Sequence, residues 1–346
     1  MTGNIKQRPI DSLAGKKILF VAPSFFGYAA EIERELKAAG ATVFRYENRP
    51  VTGFLGKVLV RLFPAGLRPV TKRYYEAILS NHQNDAIDLI FVLRGEGIDR
   101  SIVARFRKFY PNARCVLYLW DSFRNDKGAD DRVNHFDTAS TFDLQDARVA
   151  GIRFVPLFYL RDYSAQRSVA ADIDISFIGT VHTDRYAVLR RLLATVDREA
   201  SRFLFLYFPS KVIYWARAIG SPSFWGAKQS EFSFVPLSRD ELLALVGRSR
   251  VMVDIERPVQ TGLTMRTLEA LGAQRKLVTT NASVAQYDFF DARNIAVIDR
   301  NKPSLPSDFL ASGFVATAPD ILAKYEVGYW LEVVLGLRDC PGYLRQ

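Results

Sequence analysis

The strongest constraint on this chain is an alternation: short apolar runs of strand length separated by segments of helical periodicity, in a series that occurs twice. In the first series Lys17–Pro23 (KILFVAP), Ala41–Tyr46, Asp88–Leu93 (DLIFVL) and Arg114–Trp120 (RCVLYLW) read as strands. Three of the four are almost continuously apolar, the pattern of strands covered on both faces. Between them, Ala29–Ala39 sets Ile32, Leu36 and Ala39 on one helical face and stops at Gly40, and Arg100–Phe109 reads as another helix. Short strands near Thr138–Thr141 and Arg153–Leu157 complete the series.

The second series begins with Asp174–Ile178 (DISFI), a loop at Gly179–Thr183 and a helix at Asp184–Val196. Strands follow at Phe203–Phe208, Val251–Ile255, Lys276–Thr280 and Ile295–Ile298, with a helix at Thr264–Ala273. A last helix near Pro319–Leu335 carries Tyr325, Tyr329 and Trp330. Two such series predict an α/β chain of two Rossmann-like, doubly wound domains facing a cleft. The polar stretch Arg161–Ser168 marks the boundary, giving domains 1–165 and 166–346, with the last helix in the second. Ligands of such sheets bind at the carboxyl ends of the strands.

Composition narrows the function classes. The chain has 346 residues, 25 Phe and 15 Tyr, enough to bury two cores, so disorder is excluded. Its two cysteines, one inside a predicted core strand, exclude a disulfide scaffold and fit a reducing compartment. No stretch approaches the roughly 18–20 apolar residues of a membrane span, and the N-terminal segment lacks a signal-peptide core. The expected location is the cytoplasm. A net charge of +10 favours anionic partners, but the basic residues are dispersed and no nucleic-acid motif occurs, so no specific nucleic acid is expected. Arg49–Tyr75 contains no acidic residue, and Phe54, Leu55, Val58, Leu59 and Leu62 recur at helical spacing opposite Lys57 and Arg61. That segment is either a core helix with a solvated basic face or a contact to an anionic inner-membrane surface or a lipid-carried acceptor.

Arg257–Asn281 (RPVQTGLTMRTLEALGAQRKLVTTN) is the most informative stretch. It leaves a strand, turns through Gln260, Thr261, Gly262 and Leu263, and opens a helix whose free amides favour a phosphate. Arg266 and Glu269 share a helical face, as phosphate and hydroxyl ligands or as an ordinary surface pair. Gly179, Thr180, His182 and Arg185 form a second strand–loop–helix of the same kind, whose alternative is a plain capped helix with Thr183 or Asp184 as N-cap. His182 is a residue type that titrates near neutral pH. Asp121 and Glu96 end neighbouring strands of the first series and are candidate bases, or turn caps; Asp143 and Asp146 rank behind them. No metal site is expected: His82, His135 and His182 are scattered, and Asp172-Ile173-Asp174 precedes its strand instead of following it. A Walker sequence and a GxGxxG after the first strand are both missing.

QTGLTMRTLEALGAQRKLVTTN resembles the donor segment of GT-B glycosyltransferases, and the chain is similar to proteins of bacterial capsule, exopolysaccharide and lipopolysaccharide loci. RGEG (94–97), YLWDS (118–122), STFDLQDA (140–147), FVPLFY (154–159) and SFIGT (176–180) carry the same resemblance. It implies a nucleotide-sugar co-substrate, no further cofactor, and a saccharide or lipid-linked acceptor. It further implies a donor diphosphate near Gln260–Gly262, phosphate charge on Arg266 and ribose hydroxyls on Glu269. Nucleotide-sugar epimerases, pyruvyl transferases and idle scaffolds share this fold type. One departure stands out: the retaining pattern of two glutamates seven residues apart would place its first at Thr261.

Overall fold

The computed structural model describes residues 13–24, 27–49, 68–126, 128–258, 261–306 and 308–345. The chain divides into two compact units, Met1–Pro156 with Val327–Pro341, and Leu157–Glu326 with Gly342–Gln346.

The first unit holds a six-stranded sheet of order β2-β1-β3-β4-β5-β6. Its strands are β1 (Lys17–Val21), β2 (Thr42–Tyr46), β3 (Leu89–Leu93), β4 (Arg114–Leu119), β5 (Thr138–Thr141) and β6 (Arg153–Phe154), all parallel to their neighbours. The runs that read as continuously apolar are the central β1, β3 and β4, and nearly every side chain in them is buried. On one face Leu19, Val21, Ile90, Val92, Cys115 and Leu117 pack with Ile102, Val103 and Phe106 of helix Arg100–Phe109 and with Tyr75, Ile78 and Leu79 of helix Arg68–Asn81. Burial pushes the Cys115 thiol up to about 11, the behaviour of a core residue.

Trp330 meets Tyr118 edge-on at 4.8 Å, and Phe91 stacks on Phe20. This contact corrects the expected end of the chain. The single helix expected near Pro319–Leu335 is two: Pro319–Lys324 in the second unit and Val327–Val334 in the first. Trp330, Leu331, Val333 and Val334 need an apolar floor and are at most 1 % exposed. The helix's last carbonyls need donors. Arg153 donates to Val333 O (2.9 Å) and Val334 O (2.8 Å), and Arg114 to Leu335 O (2.8 Å). The expected boundary at 165 likewise moves, to Pro156.

The second unit holds β7 (Ile173–Thr180), β8 (Arg202–Tyr207), β9 (Phe232–Ser233), β10 (Ser249–Asp254), β11 (Lys276–Thr279) and β12 (Ile295–Val297). They form a parallel sheet of order β12-β11-β10-β7-β8-β9. From β7 the chain moves outward one way to β9, then from β10 outward the other way to β12. The strand order therefore reverses between the adjacent β7 and β10, and such a reversal opens a crevice at the strands' carboxyl ends. Helix Met265–Ala273 packs closely on Tyr159: a Cβ at Gly272 would lie 2.5 Å from that ring, so no larger residue fits. Phe208, Phe224 and Phe232 form an aromatic core with Tyr186 and Tyr214.

Candidate functional site

The reversal brings the two strand–loop–helix candidates of the second unit together. Arg185 donates to Ile255 O and to Thr180 O, each at 2.6 Å, tying the end of β7 to the segment after β10. Arg266 reaches Ile178 O at 3.2 Å. Gly179, Thr180, His182 and Arg185 thus stand beside Thr261, Gly262, Leu263 and Arg266, while Gln260 lies outside the described residues. Thr264 caps helix Met265–Ala273, accepting from Thr267 N (3.3 Å) and donating to Asp254 (2.6 Å). Asn281 donates to Gly262 O at 3.2 Å and holds the turn. Thr261 is exposed, whereas Leu263 is a core residue.

His182 does not titrate near neutrality as its residue type suggested. Burial, then Arg185, Arg257 and Arg217, push its pKa down to about 3, so its imidazole is neutral at pH 7. Arg185 is itself lowered by burial, to about 10, and remains a cation. Arg257 and Arg217 are exposed, and neither side chain has a hydrogen bond or ion pair among the described residues. The charges of two exposed guanidinium groups therefore reach a neutral imidazole.

Glu269 differs from expectation. It is 1 % exposed, one oxygen accepting from Tyr163 Oη at 2.7 Å and the other paired with Arg266 at 2.6 Å. A ribose contact does not fit this arrangement, because it would break a buried pair; Glu269 holds Arg266 in place instead. Asp184 occupies the N-cap position of helix Arg185–Leu193 without capping it. Its carboxylate takes both arms of Arg300, at 2.9 and 3.1 Å. Arg300 also reaches the Glu256 carboxylate (3.0 Å) and carbonyl (2.6 Å), and Glu256 accepts from Thr280 at 2.5 Å. This network joins the segments after β7, β10, β11 and β12. The sequence reading missed Arg300, Arg257, Arg217 and Asn281 as site residues.

In the first unit the structure unites Glu96 and Asp121. Arg94 bridges them, 3.0 Å from Glu96 and 3.1 Å from Asp121, and Arg49 also pairs with Glu96. The turn is tightly wound: Arg94, Gly95 and Gly97 have φ of 70°, 70° and 84°. For Arg94 this left-handed backbone costs about 1–2 kcal/mol. Strain of that kind accumulates where geometry serves function. The trailing candidates are structural. Asp143 caps helix Leu144–Ala150, and Asp146 accepts from Phe123 N at 2.8 Å. Lys57 and Arg61, with the whole segment Phe54–Leu62, lie outside the described residues. Among the described residues no group of three or more His, Cys, Asp or Glu is arranged to hold a metal ion.

No family model matches the sequence, and no curated protein does. Solved structures do match. A glycosyltransferase from Rickettsia africae ESF-5 superimposes with a TM-score of 0.54 at 12% identity, covering 82% of this chain and 84% of that one. A UDP-N-acetylglucosamine 2-epimerase gives 0.48 at 11% identity, over 96% of this chain and 100% of the other. MurG of Acinetobacter baumannii gives 0.40 at 11%, over 92% and 94%. At these identities the likeness is one of fold, and the first of the three carries it. The fold is GT-B. Two parallel six-stranded sheets, each flanked by helices, make up its two Rossmann-like units. The GT-B order of the second sheet explains why its two candidate loops meet at one edge.

Proposed function

We propose that the chain transfers a sugar from a nucleotide-sugar donor to a saccharide or lipid-linked acceptor in the making of a cell-surface polysaccharide. One observation carries the reading: at the strand-order reversal of the second sheet, Arg185 and Arg266 tie the segments after β7 and β10 side by side, and the charges of Arg185, Arg257 and Arg217 help to keep His182 neutral. A donor diphosphate needs cationic groups and N–H donors, and an imidazole N–H serves as one without adding charge. The amino end of helix Met265–Ala273 adds partial positive charge. In the proposed mechanism these groups stabilise the charge on the departing diphosphate, without an obligatory metal. Asp121, or Glu96 across Arg94, removes the acceptor hydroxyl's proton. The resemblance of the donor segment to capsule and lipopolysaccharide proteins supports the polysaccharide setting.

The test is incubation with UDP-, GDP-, TDP- and CMP-sugars, with and without saccharide acceptors and with EDTA. The expected result is release of nucleotide from one donor only when an acceptor is present, with EDTA making no difference. Intact donors throughout, or conversion of a donor to its epimer without acceptor, would overturn the reading.

A further inference from the structure

Helix Lys211–Gly220 (KVIYWARAIG) is apolar on two opposite faces. Ser210 caps it, accepting from Ile213 N at 3.2 Å. Its inner face is anchored by Tyr214, 2 % exposed, whose ring meets Phe208, Phe232 and Phe234 and whose hydroxyl donates to Ala227 O at 3.2 Å. On the outer face Val212, Trp215 and Ile219 recur at i, i+3 and i+7 and are 78%, 52% and 80% exposed. Two more large apolar side chains stand on segments that pack against this helix. Trp225 (68% exposed) follows the turn Pro222–Phe224, and Val235 (73%) follows Phe234. Scattered exposed apolar residues are ordinary; a helix face of them with flanking tryptophan is an interaction surface.

Charge identifies what covers it. Residues 200–230 include Arg202, Lys211, Arg217 and Lys228 and no Asp or Glu. On the helical wheel Lys211 borders the apolar face beside Trp215, while Arg217 lies on the far side of the helix, nearer Tyr214. A partner must therefore be apolar within and negative at its rim. A second copy of this chain would match the apolar face but not the charge, because an isologous contact would set the acid-free segment against itself. A bilayer with anionic headgroups meets both, and tryptophan is the residue that favours its interface.

We propose that this face docks on an anionic membrane surface, with Val212, Trp215, Ile219 and Trp225 entering the headgroup region and Lys211 and Lys228 on lipid phosphates.

Cosedimentation with vesicles of phosphatidylcholine and phosphatidylglycerol in equal parts tests this without any donor or acceptor. The full chain pellets with these vesicles and at least about tenfold more weakly with phosphatidylcholine alone. Its tryptophan emission shifts to the blue on binding, and the shift shrinks in Trp215→Phe. The combined variant Val212→Asn, Trp215→Ser, Ile219→Asn keeps its circular dichroism and Tm and loses at least about tenfold in vesicle affinity. The proposal fails if the wild-type chain ignores anionic vesicles. It fails equally if the variant pellets as the wild type does, which would return the contact to segment 49–75. A wild-type dimer in sedimentation velocity that the variant dissociates would show instead that a second copy covers the face.

Discussion

At the carboxyl edge of the second sheet the groups turned to solvent are Arg257 and Arg217, beside a His182 kept neutral. At the same edge of the first sheet stand the half-buried carboxylates Glu96 and Asp121, bridged by Arg94. Both edges are built from parallel strands feeding helices, and both strand orders reverse. What separates them is the choice of residue in the few positions after each strand. A shared framework therefore yields one edge suited to an anion and another suited to accepting a proton. In the proposed reaction the first is the donor's and the second the acceptor's.

The comparison breaks most visibly at Asp121. Asp121→Asn is expected to lower kcat by about 10²–10⁴ while leaving nucleotide binding intact. Steady-state kinetics alongside a binding titration checks this, and lost binding with normal turnover would invert the roles of the two edges. Next in size is Glu269→Ala, which removes the buried partner of the part-buried Arg266 and the acceptor of Tyr163 and should cost about 1–3 kcal/mol in urea or thermal unfolding. Glu269→Gln keeps an acceptor for Tyr163 and should cost less. Equal costs would argue that the ion pair contributes nothing. Arg257→Ala removes a charged donor and should weaken nucleotide binding roughly 10–100-fold by calorimetry, at unchanged Tm.

The last expectation is a pH dependence. Burial holds the His182 pKa at about 3 in the folded chain, against its ordinary 6.5, so between these values the unfolded chain binds more protons. Its contribution to stability is present in full above 6.5 and is lost as the pH falls toward about 3. His182→Gln should flatten the fall in Tm over that window and leave Tm above pH 7 little changed. An unaltered profile would show that His182 is not held neutral by its surroundings.

Much of the site was legible because it is local. Each donor candidate is a strand, a turn and a helix in succession, and the apolar runs show which strands are central. What escaped the sequence reading acts at a distance. Arg300 gathers Asp184 and Glu256 from 116 and 44 residues away, and no spacing rule joins them. The pairing of Arg266 with Glu269 followed from helical periodicity, but its burial depends on Tyr163, 106 residues upstream. The apolar end of the single helix expected near Pro319–Leu335 is the separate helix Val327–Val334, and its carbonyls take Arg114 and Arg153, 221 and 180 residues before their acceptors. Helix Lys211–Gly220 drew no notice because two apolar faces look, in sequence, like one ordinary core helix.

The central claim is a diphosphate site on the second unit, and a thermal-shift titration tests it most directly. The wild-type chain would be titrated with UDP, GDP and TDP, and in parallel with uridine, guanosine and thymidine. At a hundredfold excess over Kd a ligand of the folded state stabilises by about 2.7 kcal/mol, enough to raise Tm visibly. The account predicts that at least one diphosphate raises Tm while its nucleoside does not. No shift with any diphosphate, or an equal shift with the bare nucleoside, would contradict it.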